Sequence, residues 1–400
     1  MDELELSIMS HGPDPAGDLQ PMLDQFSAQF RCRVHVNVLA WENAWADLVK
    51  VALYNTGPHV SEVGMNWVGN LVAMNALRPF HPNELNALGG PTAFLASAWL
   101  SGHMIGDKQT WAVPWLADTR VIYYRCDWLD KAGIDEQTAF QSPAQFEQTL
   151  ERLQASGVAS PLVLPTLPTA NTLHTLASWI WGAGGDFVDL AGKRTLFNQA
   201  QSREGIRAYL GLHRFLSRAA RGLNPQQSDA LYLQGQAAVT CSGPWLMLNN
   251  QDQPSTYDLL ANTGTMLPPG VPFLGGSNLV IWRHTRQGRL AVELVRFLTG
   301  QIVQSQYTRQ AGLLPARLEV LNSPLFADHP LDRVMTEGSK RGRSFPAFPA
   351  WGLIEDSLTT EMARLWSAVL SNPQIDLDAA IAERLDPLAR RLDLILSQTL

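Results

Sequence analysis

Short β-branched runs alternate with amphipathic stretches through the first third of the chain, and this constrains the fold more than any other feature. Glu5 to Met9, Val34 to Val38 and Val60 to Gly64 read as strands. Residues 18 to 30 place Leu19, Met22, Leu23, Phe26 and Phe30 on one helical face. Residues 42 to 54 read as a second helix, ended by Asn55 and Gly57, and residues 67 to 76 as a third. Strand–helix alternation of this kind predicts an α/β domain with parallel neighbouring strands. Such sheets take ligands at the carboxyl ends of their strands. Those ends read SHGPD, AWEN and GMNW, so Trp41, Glu42, Asn66 and Trp67 are candidate ligand residues.

With 400 residues the chain is long for one core and suggests roughly two or three domains. Its net charge of −7 disfavours nucleic acid, which calls for a basic face. The three cysteines, Cys32, Cys126 and Cys241, form no CxxC pair and read as small buried hydrophobes. The nine histidines show neither HExxH nor a pair at helical spacing, so no metal is expected. The opening MDELELSIMSHGPDP is acidic and lacks an apolar signal core, and no run approaches the length of a membrane helix. That is compatible with a cytoplasmic protein, or with an exported one whose targeting segment has been removed.

The stretch from Trp111 to Ile134 sets a tryptophan, a carboxylate and a guanidinium at the mouth of a strand, Arg120 to Tyr124. Trp115, Asp118 and Arg120 could be catalytic, could hold a polar ligand, or could form a buried structural knot. Further on, Ser142-Pro143-Ala144-Gln145 is a capping box with proline at the first helical position. The segment ANTLHTLASWIWGAGG reads as a helix with Leu173, Leu176, Ala177 and Ile180 on its buried face. Trp179 and Trp181, two apart, cannot share a face; Trp181 flanks the stripe and Trp179 points away. Helices are expected over 289–299, 355–370 and 377–396, with Pro387 kinking or restarting the last. The glycine-rich WGAGGDF follows a helix and no Lys-Ser/Thr closes it, so it is no phosphate loop. TCSGPW and LGGSNL depart from the GxSxG elbow. Asp118, Asp127 and Asp186 are scattered carboxylates with no defined pairing for glycoside hydrolysis.

Seven motifs in order give these pieces a frame. They are Tyr123-Tyr124-Arg125-x-Asp127-x-Leu129-x-x-Ala132-Gly133-Ile134, SPAQFEQTLERL, SWIWGAGGDFVD, LYLQGQAAVTCSGPW, GGSNLVIWRHTRQGRLAVELVRFLTG, AGLLPAR and FPAFPAW. Taken together, the chain resembles the extracellular solute-binding proteins of carbohydrate ABC importers, the maltose-binding-like class, over nearly its whole length. Arg125 and Cys126 stand where many relatives carry Asn-Lys.

The resemblance implies an α/β, two-lobed periplasmic-binding-protein-like fold of the type II class. Each lobe would be a central sheet flanked by helices, with a ligand cleft at the hinge. It implies an N-terminal lobe of 1–118 plus 258–318 and a C-terminal lobe of 119–257 plus 319–400. It implies binding of a mono- or oligosaccharide and delivery to the membrane permease subunits, without enzymatic chemistry or a cofactor, by a monomer outside the cytoplasm. A sugar offers apolar C–H faces and many hydroxyls, matched by indoles and by charged or amide groups. On that chemistry Trp41, Glu42, Asn66, Trp67, Trp115, Asp118, Arg120, Trp179, Trp181, Trp245, Gly276, Ser277, Asn278 and Trp351 are the expected ligand-binding residues, each with a structural role as its alternative. Two other functions stay open: a glycoside-processing enzyme using Asp118 or Asp186, and a cytoplasmic sensor built on the same fold.

Overall fold

The computed structural model describes residues 2–169, 171–250, 253–328 and 330–398. Its strands, in chain order, are β1 Asp2–Met9, β2 Cys32–Leu39, β3 Val60–Gly64, β4 Leu77–Arg78, β5 Val113–Thr119, β6 Val121–Arg125, β7 Leu162–Val163, β8 Val239–Ser242, β9 Thr263–Met266, β10 Leu274–Trp282 and β11 Leu314–Pro315. They form two sheets, and the chain divides into two compact units, each built on one of them.

The first unit comprises Met1–Asp118, Leu274–Lys340 and Ser344–Gly352. Its sheet runs β11-β5-β10-β3-β1-β2, with β4 paired to β10. β1 lies parallel to both β2 and β3, with Met9 opposite Leu39, so the carboxyl ends of all three strands coincide. β10 inserts antiparallel to β3. Helix Pro15–Phe30 starts on Asp14, whose carboxylate accepts from the Gly17 amide, and buries Leu19, Met22, Leu23 and Phe26. Left-handed Arg31 and Asn55 end this helix and helix Trp41–Tyr54. The third expected helix is shorter than its apolar pattern: a 3-10 turn, Met65–Trp67, leads into Val68–Ala73, and Asn75 turns left-handed behind it.

The second unit comprises Thr119–Phe273, Arg341–Arg343 and Leu353–Leu400, around the sheet β7-β8-β6-β9. Ser142 caps helix Pro143–Ala155 by accepting from the Gln145 amide. Helix Thr172–Gly182 departs from a one-sided stripe: Leu173, Leu176 and Ile180 are buried, and so are Trp179 and Trp181. Trp179 meets Phe146 and Tyr209 on one side, while Trp181 meets Phe187 and Phe273 on the other. Helix Leu377–Gln398 runs through Pro387 without a break. Side-chain ties hold it on both flanks of the proline, Arg203 to Asp386 and Thr195 to Asp393, so tertiary anchoring overrides the missing N–H.

The units differ from the lobe bounds read off the sequence. Residues 258–273 fall with the second unit because β9 pairs with β6. Residues 319–340 fall with the first, where Arg309 pairs with Asp332. The AGLLPAR motif supplies β11, which pairs with β5 in the first sheet. No helix among the described residues is long and apolar enough to cross a membrane.

Candidate ligand-binding faces

In the first unit, the coincident ends of β1, β2 and β3 gather an aromatic ridge over a buried polar pair. Glu62 on β3 is fully buried, yet both oxygens are engaged. One lies 2.7 Å from His11 Nε2, just past β1, and the other accepts from the Met9 amide at 2.6 Å. The His11 ring meets Trp41 edge-on, with centroids 5.6 Å apart. Trp41 lies 5.9 Å from Trp67, and Trp67 lies 5.7 Å from Trp45. Trp41 is 39% exposed, and Trp45 and Trp67 are partly buried, so indole surface remains open to a ligand. Gly64 makes the turn possible: a Cβ there would sit 2.8 Å from Asn66 Oδ1 and 3.3 Å from the Trp67 ring. Glu42 is exposed in the first turn of its helix, where a carboxylate suits the helix dipole.

In the second unit, a stack of planar groups runs across helix Thr172–Gly182. Arg343 lies over Trp181 at 4.7 Å, Trp181 stacks on Phe273 with rings 15° apart, and Phe273 stacks on His174 at 4.2 Å. Asp186 fixes one end, accepting from Trp181 Nε1 at 3.0 Å and from Arg343 at 2.7 Å. Arg120 fixes the other. Its Nη2 donates to Asn171 Oδ1 at 3.3 Å and to His174 Nδ1 at 3.0 Å, and its guanidinium lies over Trp245 at 4.8 Å. Burial, and then the Arg120 charge, hold His174 well below the usual histidine range, so it is a neutral acceptor here. Trp245 is partly buried and opens a short helix after β8. Its Nε1 donates to Asp229 Oδ2 at 2.9 Å. A Cβ on Gly243 would sit 2.1 Å from the indole, so only glycine lets the ring fold back over the chain.

Several other expected ligand residues lie in strands or in packed interior positions. Trp115 is fully buried on β5, stacked on Tyr307 with centroids 5.2 Å apart, and its Nε1 donates to the Leu298 carbonyl. Trp179 is core, as described above. Trp351 is fully buried against Phe345 and Phe348. Gly276 has φ +121, and a Cβ there would meet the Leu116 carbonyl oxygen at 2.1 Å, so it serves close strand approach. Ser277 is buried opposite Gly64, and Asn278 is buried donating to Ser101 Oγ at 2.9 Å. Asp118 closes the first unit on β5, partly buried. Arg120 sits between β5 and β6 rather than opening a strand.

The sequence reading missed His11, Glu62 and Trp45 in the first unit, and Asn171, His174, Asp229, Phe273 and Arg343 in the second. Glu62 left a legible signal, a lone carboxylate inside the otherwise uncharged run VSEVG. The others became visible only through partners distant in sequence.

A family model for bacterial extracellular solute-binding proteins matches residues 21–334. The chain belongs to this family. Among its relatives, the diacetylchitobiose binding protein DasA of Streptomyces coelicolor is 22% identical over 357 residues, covering 86% of this chain and 80% of that protein. A probable ABC transporter-binding protein of Deinococcus radiodurans is 26% identical over 230 residues, 54% of each chain. The sugar-binding protein MalE from Xanthomonas citri superposes with a TM-score of 0.82 at 21% identity, covering 99% of this chain and 98% of that one. At such identity the likeness establishes the fold, and the mixed α/β architecture is the one this solute-binding family member was expected to have.

Proposed function

We propose that the protein is the substrate-binding component of an ABC importer, which captures a carbohydrate outside the cytoplasm and delivers it to a membrane permease. The observation that carries this reading is the ridge of Trp41, Trp67 and Trp45 at the carboxyl ends of three parallel strands. Open indole faces match the C–H faces of a sugar ring, and neighbouring Glu42 and Asn66 offer groups for hydroxyls. In the second unit, taken by itself, Trp245 is partly buried and held at its Nε1 by the Asp229 carboxylate. Relatives named for diacetylchitobiose and sugar binding, and for ABC transport, support the same class. Binding as a monomer, with a hinge motion that commits the ligand, completes the reading. Such a motion is worth only the ligand's differential affinity for the committed form.

A thermal-shift screen tests it, with diacetylchitobiose, maltose, tagatose and a set of polyols. A carbohydrate at about 100 times its Kd adds ~2.7 kcal/mol of stability, a readily measured rise in melting temperature. The rise should vanish in Trp41→Ala and in Trp245→Ala. A flat response to every carbohydrate would overturn the reading.

A further inference from the structure

Asp229 is not among the groups offered to a ligand, yet it holds the edge of Trp245. It projects from helix Pro225–Leu233, and its Oδ2 accepts from Trp245 Nε1 at 2.9 Å. The hydroxyl of Ser242, at the end of β8, also bonds the carboxyl. The charged and titratable groups facing it are Arg120, between β5 and β6, and Cys241 on β8. Arg120 also lies over the Trp245 ring, so that indole is gripped by its edge and by a face.

Building on the sugar-binding reading, we propose that Asp229 is a positioning residue for Trp245, and that losing the charge on its carboxyl loosens the indole and weakens sugar capture. Two observations give the direction. An indole N–H bonded to an ionised carboxylate makes a charge-assisted bond, stronger than the bond to a neutral carboxyl. Burial pushes the Asp229 carboxyl up to about 6, against smaller opposing pulls from Trp245, Ser242 and Arg120. The charge on this clamp therefore changes in mild acid, where an unperturbed aspartate would still be ionised. The neighbours do not titrate there: His174 is held well below its usual range, and burial pushes the Cys241 thiol up to about 12.

The test is fluorine NMR on protein carrying 5-fluorotryptophan, with no sugar present. The Trp245 resonance is assigned as the one missing from Trp245→Phe. In the wild-type protein it should move with pH, with a midpoint near about 6, and in Asp229→Asn it should stay still over the same range. Asp229→Ser, which removes the carboxylate without adding bulk, is the second variant. A Trp245 resonance that does not move in the wild type, or moves equally in both variants, overturns the proposal. A second arm measures affinity for the carbohydrate that responds in the thermal screen. The wild type should lose about fivefold between neutral and mildly acidic pH, and Asp229→Asn should lose none. A moving resonance with constant affinity would confine Asp229 to holding the ring and overturn its effect on capture. If no carbohydrate binds at all, the sugar reading fails, while the resonance still decides whether Asp229 positions Trp245.

Discussion

Trp41 and Trp115 are the same residue type under opposite demands. Trp115 spends both ring and N–H on the first core, so Trp115→Ala should cost about 3–5 kcal/mol in urea unfolding. Trp41 keeps an open face, so Trp41→Ala should change stability by less than ~1 kcal/mol yet weaken sugar binding tenfold or more. Asp229 makes a pH prediction at the same scale. Its folded pKa, about 6, is raised above the unfolded value, so the folded state holds a proton that the unfolded chain gives up. The resulting stability is fully present below about pH 4 and is lost as pH rises through about 6. The difference in unfolding free energy between wild type and Asp229→Asn, measured across this window, should follow that curve. At this scale the sequence shows that indoles matter without showing which. A tryptophan is open or enclosed according to distant partners such as Tyr307, and no local pattern records them.

Elements were far more legible. The strand–helix alternation of the first third, the Ser142 cap and the start of β3 at Val60 follow from local chemistry, and the structure has them. What local chemistry omits is enclosure. Helix Thr172–Gly182 carries one obvious stripe, yet it is covered on both sides, because Gly205 brings helix Ala200–Gly211 against its backbone. A Cβ on Gly205 would lie 2.5 Å from the Trp179 carbonyl oxygen. Gly205→Ala should therefore cost about 1–3 kcal/mol through overpacking, read as a lower urea midpoint with an unchanged slope. Pro387 teaches the converse lesson. A local rule that should interrupt a helix yields where Asp386 and Asp393 tie both flanks.

At the scale of the whole molecule, the chain passes between units after Asp118, after Phe273 and around residues 341–343. Within the second unit these passages are laced together. Thr119 Oγ1 donates to the Phe273 carbonyl at 2.9 Å, and the Arg343 amide donates to the Pro272 carbonyl at 3.0 Å. Arg343→Ala would release its grip on Trp181 and Asp186 from a side chain that is half exposed. The fold should persist, because exposed pairs are worth ~0–1 kcal/mol. Amide hydrogen exchange at residues 271–274 and 341–344 should quicken, and an unchanged exchange map would refute the lacing. The passages bring Arg120, Phe273 and Arg343 into the same stack as Trp181, with Trp245 against Arg120. Anyone recasting this protein as a sensor for a new analyte would choose those rings to retune. On the proposed sugar-binding reading, a library that changes those rings changes both what the protein holds and how quickly it lets go.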